Sequence, residues 1–157
     1  MKNDKIYRLL KLILVFAMGG AMNSHAIELE TISDVRIRFF IQTSGEFSRP
    51  LDGTEVLWNV VAGGGDVTGP TSSASIDVVV TGPSKSWKVG RVVTLIVKND
   101  QTGRVLSRMH SRLGVAGPSG ESHVGFWLTE IGCEPLELIA QVGGSSRTRK
   151  LPLQCGE

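Results

Sequence analysis

Histidine, serine, cysteine and tryptophan are the side chains with which this chain of 157 residues could do chemistry. His110 and His123 are the histidines beyond residue 26. If the segments that carry them pair as neighbouring strands, the two rings could meet. Joined by Glu121 or Glu130, they would then hold a metal or act as acid and base. The same residues on the polar faces of two strands are ordinary surface histidines, and the pattern favours that reading. A serine nucleophile needs a base within reach and a group that orients the base. No serine lies in Gly-x-Ser-x-Gly, and Gly117-Pro118-Ser119-Gly120 reads as a turn. Gly63-Gly64-Gly65-Asp66 lacks the following Gly-Lys-Ser/Thr and the helix that would cradle a phosphate, so it too is a turn. Asp52-Gly53, Asp66 and Asn99-Asp100 lack the dense oxygen spacing of a calcium loop. No catalytic residue, metal ligand or cofactor site is assigned, and an enzyme is not expected.

Cys133 and Cys155, the two cysteines, are 22 residues apart. That is not the C-x-x-C of a redox pair, and two thiolates without clustered histidines make a poor zinc site. A structural disulfide is expected, closing a loop worth about 3 kcal/mol in the chain-entropy model.

Trp58, Trp87 and Trp127 are the large aromatics able to stack on a sugar ring or anchor a protein. Trp58 lies in the most apolar run and is assigned to the core. Trp127 alternates with Phe126 and Leu128 and faces outward if they face inward, which makes it the foremost binding-surface residue. Trp87 follows Pro83-Ser84-Lys85-Ser86 in an expected loop, either as a lid over the core or as an exposed contact. Arg147, Arg149 and Lys150 form a small basic cluster, read as protection of an edge strand.

These residues must be positioned by strands, because no segment beyond residue 26 has helical periodicity and short β-branched or aromatic runs recur between Gly, Pro, Ser and Asp clusters. In 35–41, Val35, Ile37, Phe39 and Ile41 share one face, with Arg36, Arg38 and Gln42 on the other. The run 55–62 reads as a strand covered on both faces. Further strands are expected at 75–81, 91–98, 104–110, 121–130, 136–142 and 147–153, with 91–98 and 104–110 paired through a turn at 99–103. In 121–130, Val124, Phe126 and Leu128 share a face. For the last hairpin a four-residue loop, 143–146, would set Leu138 opposite Leu151 and Leu136 opposite Leu153. Cys133 then falls one residue out of step with Cys155. A bridge across the ends of this hairpin, with irregular backbone at 132–135, is expected; a bridge between non-adjacent strands is the alternative.

The first 26 residues read as a cleavable export signal: Lys2, Lys5, Arg8 and Lys11, an apolar run from Leu12 to Met22, then Asn23-Ser24-His25-Ala26 with cleavage after Ala26. At about 11 residues the run is short for a membrane span, which needs about 20. The alternative is an uncleaved anchor. The signal holds four of the 17 Lys and Arg and one of the 15 Asp and Glu, so the remainder has 13 and 14, a net charge of −1. The basicity of the whole chain is therefore no argument for nucleic acid or an anionic membrane as partner.

Seven or eight short strands in the remaining 27–157 suggest one all-β domain, a β-sandwich of immunoglobulin or fibronectin type, with a small closed barrel as the alternative. Thr54–Gly65, Lys88–Leu95 and Cys133–Val142 resemble bacterial immunoglobulin-like domains, the tryptophan strand and its Gly-rich turn looking like a central strand. The cysteines depart from the antibody pattern, since both lie in the last quarter. The resemblance implies a fold class and no particular function. Three functions are carried forward. The first is a periplasmic or secreted, non-enzymatic binding module with a protein or glycan partner and no stable membrane insertion. The second is a subunit of an envelope or surface assembly in which 27–33 adds a strand to a neighbour. The third is an enzyme using His110 and His123.

Overall fold

The computed structural model describes residues 30–83 and 91–156. Strand β1 (Thr31–Ile41) buries Val35, Ile37, Phe39 and Ile41 and exposes Arg36 and Arg38. That alternation is what a strand with one dry and one wet face requires. A tight turn leads into β2 (Glu46–Phe47), two residues paired with the end of β1. There follow β3 (Ala74–Thr81), β4 (Val92–Asn99), β5 (Val105–Arg112), β6 (Glu121–Leu128), β7 (Leu136–Val142) and β8 (Ser145–Leu151).

Among the described residues these strands pair antiparallel throughout, in two four-stranded sheets ordered β2-β1-β3-β6 and β5-β4-β7-β8. Ile37, Phe39 and Ile76 of the first sheet and Leu95, Val97 and Leu138 of the second are buried in one core between them. The molecule is thus an all-β sandwich and not a closed barrel. One flank is closed where β1 lies against β8 and the Ile32 N–H donates to the Ser145 hydroxyl at 3.0 Å. β5 and β6 border the other flank.

Residues 55–62, expected as a covered strand, form a plug instead. The carboxylates of Glu55 and Asp66 take the N–H groups that a neighbouring strand would have bonded: Glu55 accepts from Asp52 and Gly53 at 3.0 and 2.9 Å, and Asp66 from Val56 at 2.7 Å. Asn59 is left-handed at φ 51° and Val60–Ala62 make one 3-10 turn, the only helical element among the described residues. No helix among them is long and apolar enough to cross a membrane. Leu57 and Val60 of this plug, with Leu51 and Val67 on either side of it in sequence, are buried in the core. Trp58, assigned to the core, is instead 46% exposed, its indole lying against the backbone of Gly156. Pairing is limited to one parallel bridge from Trp58 to Gln154.

The last hairpin turns in two residues, Gly143-Gly144, not four. Gly143 has φ 54°, the positive value that two-residue hairpin turns need at their first position. Leu136 therefore pairs with Leu151, and Leu138 with Arg149, displacing the expected register by two residues while keeping every side chain on its expected face. Leu153 was not available as a ladder partner. It is buried in the tail, where its N–H turns back to the Leu151 carbonyl and directs the chain towards Leu57.

Cys133 and Cys155 are bonded, with Cα atoms 5.2 Å apart. The bridge joins the β6–β7 connection to the tail after β8, across the open ends of the final hairpin, and 132–135 lie outside any strand as expected. Thr31–Ser33, part of the proposed donor segment, belong to β1, where Thr31 pairs with Thr81 of the chain's own sheet. The export signal, its cleavage position and Trp87 lie outside the described residues.

Candidate binding surface

The two histidines are not brought together, because β5 and β6 belong to different sheets. His110 Nδ1 lies 3.0 Å from the Thr94 hydroxyl, its cross-strand neighbour. His123 Nδ1 lies 3.0 Å from the Asp77 carboxylate on β3. Among the described residues no three His, Cys, Asp or Glu side chains are grouped to hold a metal.

Trp127 faces outward as the alternation of β6 requires, since Val124, Phe126 and Leu128 are buried and Trp127 is 46% exposed. The β3 register places Ser75 beside it and Arg38 beyond, on the outer face of the first sheet. Phe40, on the same face, pairs with Phe47 of β2. The rings of Phe40, Phe47 and Trp127 form a closed triangle, with centroids 5.6, 5.9 and 5.8 Å apart and all three pairs edge-to-face. In that geometry the positive edge of one ring meets the negative face of the next, worth about 0.5–1.5 kcal/mol per pair beyond burial. The triangle pins β2 to the sheet and fixes the orientation of Trp127.

Two hollows flank the triangle. A shallow one of about 260 Å³ is lined by Arg36, Arg38, Phe47, Ser75 and Asp77. Neither the Arg38 guanidinium nor the Ser75 hydroxyl has an ion pair or hydrogen bond among the described residues, whereas Arg36 is tied to Asp34 at 3.1 Å. Burial would raise the Asp34 carboxyl, but Arg36 and the Val35 N–H hold it below its ordinary value. The second hollow is a cleft of about 630 Å³ on the open flank, between β5 and the β6–β7 connection. Leu106, Met109, Leu128, Ile131 and Leu136 give it an apolar floor, and Trp127 stands at its rim.

The basic cluster on β8 has more specific duties than edge protection alone. Arg149 donates to the Leu51 carbonyl at 3.0 Å, tying the hairpin to the plug, and Lys150 meets Asp100 at 2.7 Å, a contact that raises the Lys150 pKa. Phe40 and Phe47 were not singled out from the sequence. Phe40 follows from the alternation that sends Phe39 inward, but Phe47 sits in a two-residue strand with no periodic signal. No protein-family model matches the chain, and no curated protein matches its sequence.

Proposed function

We propose that the chain is a periplasmic or secreted, non-enzymatic interaction module of immunoglobulin or fibronectin type that meets its partner around Trp127. The strand order supports the fold type: β1-β3-β6 opposite β4-β7-β8 corresponds to A-B-E opposite C-F-G, and β5 flanks β4 as C′ flanks C. A disulfide suits an oxidising compartment and agrees with export.

The observation that carries the binding reading is the aromatic triangle. Trp127 and Phe47 are 46% and 48% exposed, yet both rings are held in place by aromatic contacts on two sides. A preoriented, half-exposed tryptophan beside hollows loses little conformational entropy on binding, which is the physical basis of aromatic hot spots. The test is affinity capture from envelope extract, using the full chain exported through its own leader and tagged at its C-terminus. A stoichiometric partner retained by wild type and lost by the folded Trp127→Ala variant is the expected result. A partner held equally by both refutes this surface.

A further inference from the structure

We propose that the partner is engaged by strand addition: an extended peptide segment, apolar at alternate positions and basic at its ends, pairs with the free edge of β6 and fills the adjoining cleft. The inference rests on the interaction-module reading and adds the chemistry of the partner.

The ladder pattern shows which amides are free. The Phe40 N–H donates to the Ser73 carbonyl, so odd-numbered residues of β3 turn their amide groups towards β1 and even-numbered ones towards β6. The pairs Ile76–Phe126 and Val78–Val124 therefore carry the β3–β6 bonds. The N–H and C=O groups of His123, Gly125 and Trp127 point the other way, out of the sheet edge. Among the described residues they have no partner; the one outward carbonyl that is used is that of Glu121, taken by Gly117.

The other edges carry the devices that block edge pairing, and β6 does not. β2 is two residues long and is prolonged by Ser48 and Leu51, whose N–H groups bond β1. β5 has an irregularity at Leu106 and bears Arg108 and Arg112. β8 bears Arg147, Arg149 and Lys150. By contrast, β6 has no Lys, Arg or Pro and runs eight unbroken pairs with β3.

Side chains beside this edge define the occupant. An added strand alternates its residues between the two faces. Those pointing inward meet the cleft, where apolar residues would cover Leu106, Met109, Leu128 and Ile131, with Ser107, Thr129 and Glu134 at its polar side. Those pointing outward pass Trp127 and the open position at Gly125, where an added Cβ would meet nothing within 4 Å. Glu121 and Glu130 bracket the edge, both exposed and without an ion pair among the described residues. They lie nine positions apart in the sequence, Glu121 at the first residue of β6 and Glu130 two residues beyond its last, where the backbone is left-handed at φ 59°. Two unpaired carboxylates at that spacing select a segment with Lys or Arg at its ends.

The test is selection of random ten-residue peptides displayed on phage against the exported chain, followed by binding measurements with the enriched peptides. Expected are sequences with alternating apolar residues and basic ends. Gly125→Pro removes an outward N–H without touching the β3 ladder, and it weakens binding about tenfold or more. Should Gly125→Pro fail to fold, the Glu121→Lys/Glu130→Lys pair replaces it, and loss of the basic-ended peptides is the expected result. Enriched peptides that ignore both variants overturn strand addition, as does enrichment of none. In either case a Trp127-dependent partner captured from envelope extract leaves the module reading standing, and absence of such a partner removes both. Concentration-dependent oligomers abolished by Gly125→Pro would assign the edge to a second copy and overturn a foreign partner.

Discussion

Replacing both cysteines, Cys133→Ser with Cys155→Ser, should lower stability by about 3 kcal/mol and leave the fold intact. The bridge closes a loop of about 23 residues, for which the chain-entropy relation gives 3.4 kcal/mol, or roughly 3 given its uncertainty. Little of this is lost from the native state, because both ends are held without the bridge: beside Cys133, the Ile131 N–H donates to Ser72 at 2.9 Å and the Pro135 carbonyl accepts from Asp100 at 2.8 Å. Leu153 is buried, the Gln154 N–H donates to Leu57 at 3.0 Å, and Asn59 donates to Gln154 at 2.7 Å. The effect therefore lies in the unfolded chain, which gains freedom. Against a typical domain stability of about 5–15 kcal/mol, the variant stays folded at room temperature. Urea unfolding followed by tryptophan fluorescence should show the midpoint fall by about 1–2 M, with m equal or slightly larger. Wild type under reducing conditions should behave the same way. A midpoint shift below about 0.3 M would refute the reasoning, because it would mean that the ends stay together in the unfolded state or that the bridge strains the fold.

Three further outcomes are expected. Burial would raise the Glu55 carboxyl, but the N–H groups of Asp52 and Gly53 outweigh it and hold the group below its ordinary value. Its contribution is therefore present above the unfolded-state pKa and lost as pH falls through the folded one, so the stability gap between wild type and Glu55→Gln should narrow from about pH 7 to pH 3 in denaturant titrations. Gly65→Ala should cost more than about 2 kcal/mol in calorimetry, because φ is 69° and the added Cβ would run into the Val56 carbonyl; Gly103→Ala, at φ 70° in open space, should cost about 1. Leu138→Ala, in the fully buried core, should lose about 2–5 kcal/mol by chemical unfolding, while Val56→Ala, at an exposed plug position, should stay within about 0.5.

What could be read from the sequence was whatever local alternation decides. The faces of β1 and β6 and the outward position of Trp127 follow from period two, and the β4–β5 hairpin from the turn residues at 99–103. The plug could not be read that way, because Glu55–Ala62 is as apolar as a strand. Its backbone conformation is set by two carboxylates and by Gly65 lying against Val56, which are contacts rather than a pattern. Hairpin register was also underdetermined. A displacement of two residues keeps every face, and apolar matching favoured the sum of 289, with Leu138 opposite Leu151, over the observed 287, with Leu138 opposite Arg149; the turn's length decided it. The aromatic triangle was half visible: Trp127 by alternation, Phe47 only once β2 is seen to fold across the sheet.

The pairing scheme has a kinetic meaning as well. Among the described residues only β1–β2, β4–β5 and β7–β8 are local hairpins. β1 must find β3 across separations such as Thr31 to Thr81, and β4 must find β7 across Val93 to Val142. The Trp58–Gln154 bridge joins residues 96 positions apart. Loop-closure entropy must be overcome before these contacts reward it, which places folding in the millisecond-to-second class of sandwiches. Until β4 and β7 have paired, the inner face of β6 lacks the sheet that covers it, while its outer edge stays bare. A chain with this topology has a long window in which to be met by a chaperone, or by the wrong strand, before its own sheet is complete.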